Sequence, residues 1–423
     1  MNEAPAAAAA RRGRSHSFGA LRHKGYRAYF VGTALAMLAD SVEHVISYWV
    51  MFQKFHSPAL AGFAVISHWV PYLLLGVWSG ALADRYDPRR IIQLGMVLFM
   101  SCSATWGILF LTGWLRMWHA VAILIVHGLA SLFWGPASQV LIHDIVEVDQ
   151  LPSAVRLAAT SRYLGLLGGP AVGAAFLLVF GPGPGIFVNI LIYLPLTLWL
   201  VAAPYGPRYR KELRVAARIR GLADLTATIA TVARIRVIAA VTLLTGAYSL
   251  LVGNAYQAQM PEFARDFGHG DPGILYSMLL GADASGAFLA GIVLEGTGRL
   301  QPNTRTLFVL ALLWSVVIGT FAVVPFYPLA LVLLFAAGFL ELSFNSMAQA
   351  LVQIHAPSAV RGRVIGLYGM SAIGLRAFSG ATVGVGGSFL GIHVSLAAAA
   401  LVLFATIALL MTAMLRPAAS APT

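Results

Sequence analysis

Asp40, Glu43 and His44 stand together in "LADSVEHVISY", inside an apolar run from about Arg27 to Phe52. On a helix this spacing puts two carboxylates and an imidazole on neighbouring positions of one face. A charge at the centre of a membrane helix costs at least ~2.5–3.5 kcal/mol on insertion scales, so such groups mark function by default. Two carboxylates one turn apart in a low-dielectric setting repel one another, which favours holding one proton on the pair. His44 could share that proton. The competing use is structural, an ion pair of Asp40 or Glu43 with Arg162 or Arg376. Metal ligation is a third use of the same turn, but two carboxylates and one imidazole on a single turn are a weak basis for it. The single cysteine, Cys102, offers no CxxC or Cys/His spacing. No metal and no cofactor are therefore expected.

The same run carries a longer stripe, Thr33, Met37, Asp40, Glu43, His44, Ser47 and Tyr48, at the spacing of one helix face. Further along, Glu341, Asn345, Gln349 and Gln353 form a second stripe. His127, Ser131 and Trp134 sit on one apolar segment, Asn254 and Gln257 on another. Asp283 and Glu341 rank as further proton or substrate sites. His68 alone reads as a helix–helix contact, and Arg162 and Arg376 lie within apolar spans. The expected cavity is thus lined by Tyr48, His127, Ser131, Trp134, Arg162, Asn254, Gln257, Asn345 and Arg376.

These residues need elements that cross a membrane. The chain is 59% hydrophobic and 10% charged, with a mean hydropathy of +0.80. Soluble domains carry roughly 25% charged residues. Apolar runs centre near residues 40, 71, 102, 131, 167, 194, 248, 283, 315, 339, 372 and 402, giving twelve expected spans. Net charge of +12 follows from topology rather than from a nucleic-acid partner. With the N-terminus inside, only Lys54, Arg116 and Arg265 fall outside, and Arg162 and Arg376 within spans. The N-terminal "MNEAPAAAAARRGRSHSF" lacks the apolar core of a signal peptide and reads as a cytosolic tail. Spans 3, 6, 9 and 12 have no interior Asp, Glu, Lys or Arg and are expected as lipid-facing supports.

The longest polar connection, 205–236, is rich in Lys and Arg and divides the spans six and six. It reads as a basic cytosolic linker or a helix on the anionic inner leaflet. "PSAVR" occurs at Pro152–Arg156 and again at Pro357–Arg361, each time just before a span. The expected domains are a tail at 1–27, a six-helix bundle at 28–204, the linker at 205–236, a second bundle at 237–415 and a tail at 416–423. Two similar bundles around a midplane site are an architecture of secondary transporters. No Walker A motif is present.

The loop after span 2, "GALADRYDPRR" (Gly80–Arg90), resembles the signature loop between helices 2 and 3 of the major facilitator superfamily. Gly80, Asp84, Arg85, Arg89 and Arg90 match its positions. "GIVLEGTGR" (Gly291–Arg299) is a degraded second copy, with Glu295 in place of the aspartate. The loop reads as a cytosolic latch, in which Asp84 meets a helix N-terminus and Arg89 or Arg90 pairs with Asp144. In "GLLGGPAVGA", Gly165, Gly169, Pro170 and Gly173 are similar to the helix-5 motif of the superfamily's antiporters, Ala174 being a departure. Such glycines permit close helix approach. "SPALAGFAVI", "LFWGPASQVLIHDIVEVDQLPSAVR" and "RGRVIGLYGM" resemble the branch that holds the enterobactin exporter and macrolide efflux proteins.

The resemblance implies an all-α membrane protein of twelve transmembrane helices in two pseudo-symmetric six-helix bundles, the major facilitator fold. It implies a non-enzymatic secondary transporter, a proton-coupled exporter of a drug, siderophore or metabolite working by alternating access. An importer or facilitator is the alternative within transport, and a membrane sensor or lipid-handling protein the alternative outside it. The expected partners are a small-molecule substrate, protons and membrane lipid, with no nucleic acid and a monomeric chain. The expected location is the bacterial inner membrane, both termini cytosolic.

Overall fold

The computed structural model describes residues 18–55, 57–209, 219, 221–253, 255–267, 272–297, 301–379, 383 and 386–415. Among the described residues the regular elements are helices, without a strand. In chain order the main ones are α1 (Lys24–Phe55), α2 (Pro58–Arg85), α3 (Pro88–Thr112), α4 (Met117–Ile145), α5 (Leu151–Phe180) and α6 (Pro182–Ala202). Then come α7 (Leu222–Arg234), α8 (Arg236–Leu251), α9 (Pro272–Thr297), α10 (Thr304–Val323), α11 (Tyr327–His355), α12 (Arg361–Gly369) and α13 (Ile392–Leu415). Among the described residues, 9 helical stretches are long and apolar enough to cross a membrane. Helices α2 and α5 run for 28 and 30 residues at two further expected spans. The run expected near residue 372 is interrupted: α12 passes into a π-helical turn at Met370–Gly374, then a short helix at Arg376–Ser379. There the Leu375 N–H donates to the Met370 carbonyl, five residues back.

Local chemistry sets the boundaries. Ser57 accepts the Leu60 N–H and Asp87 the Arg89 N–H, each at the cap of a helix that begins with proline. Such caps satisfy donors that have no intrahelical partner. Gly113 and Gly181 take φ of 71° and 76°, a backbone region open to glycine, and end α3 and α5.

The chain divides into two compact units. The first comprises Met1–Ile229, Gly291–Gln301 and Ala356–Ala377. Its helices are drawn together by glycines at backbone-to-backbone approaches. A Cβ on Gly80 or Gly76 of α2 would strike the carbonyl of Gly362 or Gly366 on α12, and the reverse also holds. Gly165, Gly169 and Gly173 of α5 lie against Met37, Ser41 and Val45 of α1, one glycine per turn. Gly128 of α4 abuts the Ser67 carbonyl of α2. The second unit comprises Ala230–Ala290, Pro302–His355 and Phe378–Thr423. In it Gly338 of α11 abuts the Asp283 carbonyl of α9, and Gly286 of α9 the Phe335 carbonyl of α11.

Helices α3 and α6, at expected spans 3 and 6, show apolar rows to their surroundings, Leu94, Val97, Ile108 and Leu111 on one, Leu191, Leu198 and Val201 on the other. Yet α3 is more than a support, because Ser103 is fully buried and turns inward.

Candidate functional site

In the first unit the opening motif meets a partner on another helix. His127 of α4 is 4% exposed and lies between the two acids of α1. Its Nε2 stands 2.9 Å from Asp40 Oδ1, and its Nδ1 stands 3.0 Å from Glu43 Oε1. Glu43 is 2% exposed, and its second oxygen accepts the Ser103 hydroxyl. Asp40 Oδ1 and His127 Nε2 lack a well-aligned hydrogen bond despite their proximity. His44 directs Nδ1 to the Asp40 carbonyl at 2.7 Å, and that nitrogen lies 3.7 Å from Asp40 Oδ2. The rings of His44 and His127 meet edge to face at 4.8 Å, and His68 of α2 lies 5.5 Å from His44 and 5.8 Å from His127. Tyr48 packs on His44, and Phe99, between Trp134 and Tyr193, packs on His127. One turn beyond Glu43 the surroundings become apolar, with Ile46, Cys102, Trp106 and Ile123 buried together. Low polarity strengthens each interaction among these charged groups.

Among the described residues the acids pair with imidazoles rather than arginines, Asp40 with His127 and His44 and Glu43 with His127. Arg162 is exposed. Arg376 donates Nε to the Ala372 carbonyl, and its guanidinium lies over Trp69 at 5.7 Å. The imidazole of His127, reaching from α4, fills the place beside the two acids of α1.

The second unit holds the other acids. Tyr256 donates its hydroxyl within reach of both Asp283 Oδ1 (3.2 Å) and Glu341 Oε2 (3.1 Å). Gln257 Nε2 donates to Asp283 Oδ2 at 2.9 Å. Asp283 and Glu341 are each 4% exposed. A phenol has one proton for two acceptors. Both acids are hydrogen-bonded to the phenol together only when one of them is itself protonated and donates back. Asn345 is half-buried on α11. Asn254 lies outside the described residues. Ser131 is half-buried and its carbonyl accepts the Tyr72 hydroxyl; Trp134 is buried.

At the other end of the first unit, Asp84 accepts the N–H groups of Gly362 (2.6 Å) and Arg363 (3.0 Å), at the start of α12. Arg363 pairs with Asp224 of α7 at 3.2 Å. Glu295, fully buried, accepts the Ser153 hydroxyl and pairs with Arg156 Nε at 2.8 Å. The two "PSAVR" copies thereby acquire a purpose. The acid in the last turn of α2 caps the helix opened by the second copy, and the acid in the last turn of α9 holds the Ser and Arg of the first. Arg89, expected against Asp144, instead pairs with Asp87 at 2.7 Å and donates to the Ala203 carbonyl at 2.5 Å. Arg90 donates to Gln93, Arg85 packs on the adjacent Tyr86, and Asp144 is half-buried at the end of α4. The nearest carboxylate, two residues away, wins Arg89 because little chain need be ordered to reach it.

Ser103 and Tyr256 escaped the sequence reading. Ser103 lies on a span without charges, and Tyr256 adjoins Gln257 on a span read for its amides. His127, expected as a cavity residue, lies against both acids of the opening motif.

The sequence family described as transmembrane secretion effector matches residues 15–422. Macrolide efflux protein A of Streptococcus pyogenes is 20% identical over 282 residues, 64% of this chain and 66% of that protein, just under two thirds of its length. The staphyloferrin A transporter of Staphylococcus aureus is 22% identical over 44% of this chain and 49% of its own length. Among solved structures, the major facilitator transporter FucP in its outward conformation superposes with a TM-score of 0.72, covering 93% of this chain and 100% of that one at 14% identity. A bacterial homologue of the iron transporter ferroportin, outward-facing, gives 0.68 over 92% and 98% at 15% identity. At such identities the likeness concerns the fold. The matched family, spanning nearly the whole sequence, and the shared helical architecture together make this chain a member of the transmembrane secretion effector family of the major facilitator superfamily.

Proposed function

We propose that the protein is a proton-coupled exporter of a small organic molecule, such as a drug, siderophore or metabolite, acting as a monomer in the bacterial inner membrane with both termini cytosolic. The observation that carries this reading is the Asp40–His127–Glu43 array, with His127 and Glu43 buried and Asp40 half-buried. Between Asp40 Oδ1 and His127 Nε2, 2.9 Å apart, a proton creates a charge-assisted hydrogen bond once the ring realigns. Without it an imidazole lone pair faces a carboxylate, and the pair is repulsive. The proton therefore sets how tightly α1 is held to α4. On its other side α1 rests on the glycine face of α5, where smooth packing lets it shift. Substrate meets the array through Tyr48, Ser131 and Trp134, and through Arg162 and Arg376 where it is anionic.

Two six-helix halves, 28–204 and 237–415, alternate in this reading. Asp84 at the start of α12 and Glu295 with Ser153 and Arg156 hold the cytosolic end closed. The relative named for macrolide efflux supports export, and together with the staphyloferrin A transporter it sets the first substrates to test. The experiment is expression in a bacterial strain lacking its own efflux pumps, screened against macrolides, other lipophilic drugs and carboxylate siderophores. Raised tolerance or secretion that an uncoupler abolishes is expected. Accumulation of the same compounds, driven inward by the proton gradient, would make the protein an importer.

A further inference from the structure

Three histidines from three helices converge in the first unit, and the proton-coupling scheme uses one of them. The nitrogens of His44, His68 and His127 available for ligation lie within 4.8 Å of one another. Two of the rings have one nitrogen held and the other left open. The His44 Nδ1 is engaged by the Asp40 carbonyl at 2.7 Å, which leaves Nε2 free. The His127 Nδ1 is engaged by Glu43 at 3.0 Å, and its buried Nε2 has no hydrogen bond. Among the described residues His68 makes ring contacts with Trp69, His44 and His127, and no hydrogen bond. Asp40 Oδ1, also without a hydrogen bond, stands 2.9 Å from the free nitrogen of His127.

From these groups we infer a divalent transition-metal site: His44, His68 and His127 as imidazole ligands, Asp40 as the carboxylate ligand, Glu43 as the group that orients His127. A carboxylate on the far nitrogen of a ligating histidine fixes its tautomer and raises its basicity. Three nitrogens and one oxygen suit Zn²⁺, Co²⁺ or another borderline cation, and not Mg²⁺ or Ca²⁺, which take oxygen ligands. With metal–nitrogen bonds of about 2.0 Å, tetrahedral ligands stand roughly 3.3 Å apart. The three rings therefore close by an ångström or so through side-chain rotation, with the helices held at Gly128. The inference rests on the geometry of α1, α2 and α4 and not on the exporter reading.

The probe is Co²⁺, whose visible absorption reports tetrahedral coordination. Protein carrying a non-histidine purification tag is titrated in detergent, with Zn²⁺ competition. One Co²⁺ per chain is expected, with strong tetrahedral bands displaced by one equivalent of Zn²⁺. The double variant His44→Gln/His68→Gln should bind at least about tenfold more weakly and lose the bands. Glu43→Gln should keep the stoichiometry and lose about 10–100-fold in affinity. X-ray absorption on the Zn²⁺-bound wild type, which needs no variant to fold, should count at least two imidazoles. Absence of binding by the wild type, fewer than two imidazoles, or undiminished binding by a monodisperse double variant would each overturn the site. None of these readouts depends on transport, so failure of the exporter reading is recorded separately.

Discussion

At the scale of single residues, the cost of burying Glu43 explains its company. A carboxylate at 2% exposure survives because Ser103 and His127 occupy both its oxygens. Ser103→Ala removes one donor and leaves a buried acceptor unmet, which costs about 1–3 kcal/mol. A lower melting temperature in detergent is the expected outcome, with Ser101→Ala as the control, since the Ser101 hydroxyl bonds its own helix on an exposed face. In the second unit, Tyr256→Phe deletes the hydroxyl shared by Asp283 and Glu341. It should destabilise the protein by a similar amount, and Glu341→Gln should suppress much of that loss, because the amide supplies a donor of its own. If the double variant is as unstable as Tyr256→Phe, the shared-hydroxyl account is wrong.

At the scale of elements, helix α1 is placed by what lies beneath it. Gly165 and Gly169 leave no room for a Cβ against Met37 and Ser41, whereas a Cβ on Gly168 would meet the flexible end of Leu38 at 3.3 Å. Gly165→Ala and Gly169→Ala should each cost about 1–3 kcal/mol through overpacking, and Gly168→Ala little. Equal melting temperatures for the three would remove the glycine face as the support of α1. This face was legible in the sequence as small residues at helical spacing, and so were the helices themselves, from the length of their apolar runs. The stripe on α1 was legible too, since charge avoids lipid whatever the fold. What periodicity could not supply was the facing helix. That His127 rather than an arginine meets Asp40 depends on how α4 is set against α1, a relation between segments with no local signature. The same holds for His68, unremarkable on its own helix and notable beside two other histidines. Arg89 shows the converse error, a distant partner proposed where Asp87 was two residues away.

At the scale of the whole molecule, the repeated "PSAVR" and the acids in the last turns of α2 and α9 form one device used twice. Asp84 satisfies two orphan N–H groups and faces the positive end of α12. Asp84→Asn forfeits the charge and offers one acceptor where two are needed, and Glu295→Gln weakens the grip on Arg156. Each variant should expose this end of the molecule. The measurement is maleimide labelling of a cysteine introduced at a fully buried position beside each contact, Val364 for Asp84→Asn and Ala154 for Glu295→Gln, in a Cys102→Ser background, Cys102 being the single cysteine and buried. Labelling several-fold faster than in the parent is expected, and unchanged rates would deprive the contacts of a gating role. The central claim, that the α1–α4 array carries the coupling proton, is tested most directly by proton flux in proteoliposomes supplied with a substrate from the screen. Substrate added to wild-type vesicles holding a proton gradient should dissipate it. Asp40→Asn or His127→Gln should abolish that dissipation while substrate still binds and exchanges across the membrane without a gradient. Full substrate-driven proton flux in both variants would contradict the account and move the proton to Asp283 and Glu341.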